Sequence, residues 1–198
     1  MSSQDENDQD FLAMAAIWDS MNAGLKPTAF ERYEGSRFQW IMARGSSEKG
    51  KIGEELVSGW ARANGFVVSN SGDRGVDRII NGHNIEIKFS TLWRDQPEYW
   101  FQQVRDQDYD YCFCLGASPF EIHAWLIPKA VLLKNIIGHK GQHGGGGAKE
   151  TALLKVRIGA EPDWMKPYGD RLSDVKRLFE QAGTGSRVFT GKKKSRSR

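Results

Sequence analysis

The chain has 198 residues, 39% of them hydrophobic and 11% aromatic with seven Trp, which is enough for one large domain with a real core and short appendages. No apolar run approaches the roughly 20 residues needed to cross a bilayer. The acidic opening MSSQDENDQD lacks signal character, so a cytoplasmic protein without membrane association is expected. The net charge of +3 hides an asymmetry: the first ten residues carry four acids and no base, the last seven five bases and no acid.

In chain order, residues 1–10 read as a disordered acidic end. A helical segment over 11–45 follows, in which FLAMAAIWDSM is broken by Gly24 and Pro27 and a second piece is interrupted near Gly35. A domain over 46–182 then opens on a helix at 48–64, whose Ile52, Leu56, Trp60 and Ala63 recur at helical spacing and which Asn64-Gly65 stops. A short β-type run lies at 66–68. Strands at 76–80 and 84–90 are joined by Asn81-Gly82, a tight-hairpin signal. Residues 97–106, with Pro in the first turn, read as a helix.

Two more strands are expected at 109–115 and 121–128, and a short helix at 130–137. The glycine-rich loop 138–147 precedes a strand at 151–158, a helix at 170–182 and a basic tail over 183–198. This order describes an α/β fold, a mixed central sheet flanked by helices. Cys112 and Cys114 are two apart in a strand and share a face, which makes them buried apolar side chains; no spaced partner pair suggests a metal site.

The segment GVDRIINGHNIEIKFS carries the chemistry. Glu86 and Lys88 project from one strand face, about 6.6 Å apart at ~3.3 Å per residue, while Ile85, Ile87 and Phe89 take the other. The hairpin brings Asp77 across from Glu86. Two adjacent carboxylates repel unless a cation lies between them, and a hard ion such as Mg²⁺, with Mn²⁺ as a substitute, suits oxygen ligands. The Ile87 carbonyl could complete the protein ligands. Against this stands the bland alternative, an edge hairpin with a solvated Glu–Lys pair.

Gly75-Val76-Asp77 followed by Glu86-Ile87-Lys88 resembles the PD-(D/E)xK signature of restriction endonuclease-like nucleases, with Val76 where the signature has proline. The upstream Gly53-Glu54-Glu55-Leu56 resembles the first helix of that fold. The resemblance covers about residues 50–128. It implies a restriction endonuclease-like fold and Mg²⁺-dependent hydrolysis of phosphodiester bonds in double-stranded DNA. Asp77 and Glu86 would hold the metal, Lys88 would position the attacking water, and Glu54 (or Glu55) would assist.

A type II-like restriction enzyme in phage defence is the reading it implies most readily, with a homodimer to cut two strands and no nucleotide cofactor. A repair or recombination nuclease such as a resolvase is the alternative, as is an inactive DNA-binding module of the same fold. Arg74 (with Asp73 beside it), Trp93 and Arg94 are expected DNA contacts. So are Lys192, Lys193 and Lys194 of the tail, which would equally serve as a solubilising end. Gln102 and Gln103 resemble glutamines that some relatives place near the active site, although a solvated helix face explains them as well. His123 reads as a strand residue, and His139 with His143 is a weak metal signal without further ligands.

Overall fold

Six consecutive strands lie between helices in a computed structural model that describes residues 31–72, 75–93, 96–139 and 151–184. The expectations for the two chain ends, the tail lysines 192–194, most of the glycine loop including His143, and Asp73, Arg74 and Arg94 lie outside the described residues.

Among the described residues the helices are α1 (Gln39–Met42), α2 (Ser46–Ala63), α3 (Lys129–Asn135) and α4 (Leu172–Thr184). The strands are β1 (Val68–Asn70), β2 (Arg78–Ile80), β3 (His83–Thr91), β4 (Glu98–Val104), β5 (Tyr111–Ala117), β6 (Ile122–Pro128), β7 (Ala152–Arg157) and β8 (Gly169–Asp170). A mixed sheet in the order β1-β2-β3-β5-β6-β8 forms the centre, and β4 pairs with β7 in a separate two-stranded ribbon. Only β3 and β5 run parallel; every other named pair is antiparallel.

The hairpin between β2 and β3 closes through Asn81 and Gly82, both at positive φ (49° and 80°), the geometry that a two-residue turn demands and that Asn-Gly supplies. Asn81 also accepts the Val67 N–H through its side chain, which ties the turn to the start of β1.

Side-chain alternation splits the interior into two layers. On one face of the sheet, Ile85, Ile87, Phe113, Leu115 and Leu126 pack under α2 and α4 through Val57, Ala61, Val175 and Phe179. On the other, Cys112, Cys114, Trp125 and Ile127 meet the inner side of the ribbon, Tyr99, Phe101, Leu154 and Val156. The cysteines are free and buried, their sulfurs 3.8 Å apart. Tyr33, fully buried, donates its hydroxyl to the Ala117 carbonyl and accepts the Leu92 N–H, so the segment before α1 is fastened to the core.

Two sequence expectations are corrected. Residues 97–106 form not a helix but strand β4. Tyr99 and Phe101 point inward and Trp100 and Gln102 outward, a period of two, and the partner β7 lies far along the chain. A β-strand rich in aromatics fits here because its two faces meet different surroundings.

The buried line of α2 is also rotated from the one read at Ile52, Leu56, Trp60 and Ala63. It runs through Gly53, Val57 and Ala61, and Leu56 is among the exposed large hydrophobics. Small residues lie inward because the helix rests close on β3. A Cβ at Gly53 would stand 2.3 Å from the Phe89 Cβ.

Gly53→Ala should therefore destabilise the fold by about 1–3 kcal/mol, as overpacking does. Gly59→Ala, where an added Cβ meets nothing within 4 Å, should stabilise by about 0.5–1 kcal/mol. Urea titration of the two variants checks the pair; equal effects would remove the close-contact explanation.

Candidate active site

Strand β2 meets β3 in a register with Arg78 opposite Ile85, so one further step along the pair sets Asp77 opposite Glu86. Two hydrogen bonds fix this end: the Asp77 N–H donates to the Ile85 carbonyl at 3.0 Å, and Asp77 Oδ2 accepts the Ile87 N–H at 2.6 Å. Within one strand residue N–H and C=O point to the same edge, so the Ile87 carbonyl faces the edge that Asp77 occupies.

Glu86, 5% exposed, is paired with Lys88 at 2.6 Å on the face turned toward the ribbon. Beside them lies a cleft of about 720 Å³ lined by Glu54, Asp77, Glu86, Ile87 and Lys88. The structure thus brings together the acid of one strand, the acid and lysine of the next, and the acid of α2.

Glu54 and Glu55 part company here. Glu54 lines the cleft, whereas Glu55 is largely exposed outside it. Arg78, next to Asp77, holds both: its guanidinium lies 2.9 Å from Glu54 Oε2 and 2.8 Å from Glu55 Oε1. It also donates to the Ser58 hydroxyl and to the Asp77 carbonyl.

Electrostatics follow from this packing. Burial pushes the Glu86 carboxyl above its ordinary range; the Lys88 charge pulls it back and the negative charge of Asp77 pushes it further up. Glu54 is raised in the same way, first by burial and then by Asp77, with Arg78 opposing. For Lys88, burial favours the neutral amine, but the Glu86 carboxylate outweighs it and the ammonium is held protonated beyond its usual range.

The donors suit a hard divalent cation in kind: all are oxygens, and the Asp77 charge pushes both Glu86 and Glu54 up. Among the described residues no group of three or more His, Cys, Asp or Glu side chains is gathered closely enough to hold an ion.

Of the other candidates, Trp93 lines the cleft and stacks on Trp100 with ring centres 3.9 Å apart and planes 5° apart. Gln102 and Gln103 line it too, from strand β4 rather than from a helix. His123 is buried away from the cleft, its Nδ1 2.9 Å from the Tyr99 hydroxyl, and burial lowers its pKa. His139 lies exposed after α3.

Sequence reasoning missed Ser46, Lys49 and Gly50, which line the cleft from the first turns of α2. Together with Glu54 they recur at i, i+3, i+4 and i+8, a polar helix face that periodicity could have found. Burial lowers the pKa of Lys49. Arg78 was also missed, as was Arg105, which alone of the two acts on the Glu86 charge, since neither belongs to a local pattern.

No protein-family model matches the chain, and no curated protein does. Among solved structures it is similar to that of a bacterial homing endonuclease, at 16% identity and a TM-score of 0.47, over 70% of this chain and 94% of the other. No helix among the described residues is long and apolar enough to cross a membrane. What the fold defines is an α/β protein with a central mixed sheet and flanking helices, carrying an acid-lined cleft at the β2–β3 edge.

Arg78→Ala should cost about 1–3 kcal/mol, because it strands the half-buried Glu54 carboxylate, while the Ser58 hydroxyl keeps its bond to the Glu54 carbonyl. Glu55→Ala should stay within about 0.5 kcal/mol, as expected for an exposed ion pair. Thermal unfolding separates them, and NMR titration of Glu54 should show its pKa rising further once Arg78 is gone.

Proposed function

We propose that this protein is a restriction endonuclease-like nuclease that hydrolyses phosphodiester bonds of double-stranded DNA with Mg²⁺, for which Mn²⁺ substitutes. One observation carries the reading: Asp77 stands across the strand pair from Glu86, with Lys88 at 2.6 Å from Glu86, on the wall of an open cleft. A solvated surface pair needs neither the burial of Glu86 nor an opposing acid.

Asp77, Glu86 and the Ile87 carbonyl would hold the cation, which supplies Lewis acidity toward a phosphodiester. Glu54 adds negative charge at the cleft wall and is kept in place by Arg78. Lys88 is protonated throughout the physiological range, so it acts as a hydrogen-bond donor and not as a base. Its ammonium orients the attacking water and offsets charge growing on the phosphate. Lys49 also lines the cleft, from α2, and brings a second positively charged side chain to the same space.

A type II-like restriction role, with a homodimer to cut both strands, is the biological setting proposed for this site. Discrete bands from plasmid DNA support it; selective cutting of branched DNA would favour a recombination enzyme instead.

On supercoiled plasmid with Mg²⁺, Lys88→Ala should lose about 10²- to 10³-fold in cutting rate. EDTA should abolish cutting by the wild type. A fully active Lys88→Ala would remove the proposed mechanism.

The pH dependence has a definite sign. Carboxylates must be ionised to bind the cation, and the Glu86 and Glu54 pKa values are raised, so activity is present at higher pH and lost as pH falls through those raised values. The acid limb of kcat/KM should lie above 4.5, the ordinary glutamate value. A limb at or below 4.5 would contradict this reading.

A further inference from the structure

The ribbon wall of the cleft contains a local irregularity that the catalytic chemistry leaves unused. Phe101 pairs with Leu154 and Val104 with Ala152, so two residues of β4, Gln102 and Gln103, oppose one residue of β7. This is a β-bulge, and Gln103 sits in it at φ 55°, a left-handed conformation that side-chain-bearing residues adopt at a cost. In a regular strand, neighbouring side chains would face opposite sides. Here both glutamines are exposed and both line the acidic cleft. Bulges beside reactive sites re-aim side chains, and a paid strain at a glutamine calls for a use of its amide.

The surroundings hold the Gln103 amide and brace the strand that carries both glutamines. Gln103 Oε1 accepts from the Arg105 guanidinium at 3.2 Å. The Trp93–Trp100 stack joins the end of β3 to the ribbon, and the Trp100 N–H donates to the Ser90 hydroxyl at 3.0 Å. On the outer side, the Lys155 ammonium lies 4.0 Å over the Trp100 ring, and exposed Arg157 follows it along β7.

A two-stranded ribbon fits the major groove. A glutamine amide there matches adenine, whose N6 donates and N7 accepts, while cations beside it meet phosphates. We propose that the β4–β7 ribbon is the base-reading element, with Gln102 and Gln103 selecting adenine in the base pairs next to the scissile phosphate. This rests on the nuclease reading for its DNA substrate and adds the specificity determinant.

The test uses the full chain and a duplex library randomised around one position, read in two ways: the bases flanking cuts made with Mg²⁺, and the bases of duplexes retained with Ca²⁺ in place of Mg²⁺. Wild type should enrich adenine at one or two flanking positions. Gln102→Ala should reduce that preference at one position by about tenfold to a hundredfold, the discrimination of one bidentate pair. Gln103→Gly should do so at another, and it tolerates the positive φ that alanine resists. Gln102→Glu, an acceptor only, should move the preference from adenine toward cytosine.

Base profiles identical to wild type in both Gln102→Ala and Gln103→Gly, with cutting intact, would overturn the inference and leave the nuclease. Adenine selection in the retained duplexes, without cutting by wild type in Mg²⁺ or Mn²⁺, would overturn the nuclease and keep the ribbon as a reader. A wild type that neither cuts nor retains DNA would overturn both.

Discussion

The register of β2 on β3 is the constraint on which the rest depends. Side chains along a strand alternate, so a slip of one residue would send Glu86 and Lys88 under the helices and Ile85 and Ile87 into the cleft. The positive-φ turn at Asn81-Gly82 sets the register at one end. At the other, the Asp77 carboxylate takes the place of a missing strand partner by accepting the Ile87 N–H. One side chain thus satisfies the sheet edge and supplies an acid to the cleft, which couples the correctness of the fold to the chemistry of the site.

That coupling carries a cost in charge. Glu86 and Glu54 both sit above their ordinary pKa range, so their ionised forms weigh against the folded state near neutral pH. Lys88 and Arg78 offset part of this and position the acids as they do so. A carboxylate group held apart from water and beside like charge is a poor way to stabilise a protein and a good way to attract a cation. The two apolar layers are built without these residues, which lets the fold tolerate it.

The sequence made the hairpin legible because its signals are local: a turn dipeptide, alternation, and an acid-x-lysine triplet. The central strands β5 and β6 and helices α2 and α4 were readable for the same reason. Strand β4 was not, since Pro97 with an acid after it mimics a helix start, and its true partner β7 stands beyond the glycine-rich segment. The α2 face was misread by following the large side chains, whereas the close approach to Phe89 depends on Gly53 having none. Arg78 escaped notice because its partners, Glu54, Glu55 and Ser58, lie some twenty residues away on another element. The arrangement of Gln102 and Gln103 in one cleft depends on a bulge, and a bulge is a property of two strands that no single segment announces.

The pairing of β4 with β7 also fixes an order of events during synthesis. Glu98 faces Arg157 in the finished ribbon, so the acids and the lysine leave the ribosome well before the strand that completes the wall beside them. At roughly 5–20 residues per second that interval lasts seconds. Long-range pairing of this sort is slow to form. A nascent chain therefore carries its charged strands for some time without the opposite wall of the cleft, which is completed late, with the C-terminal third.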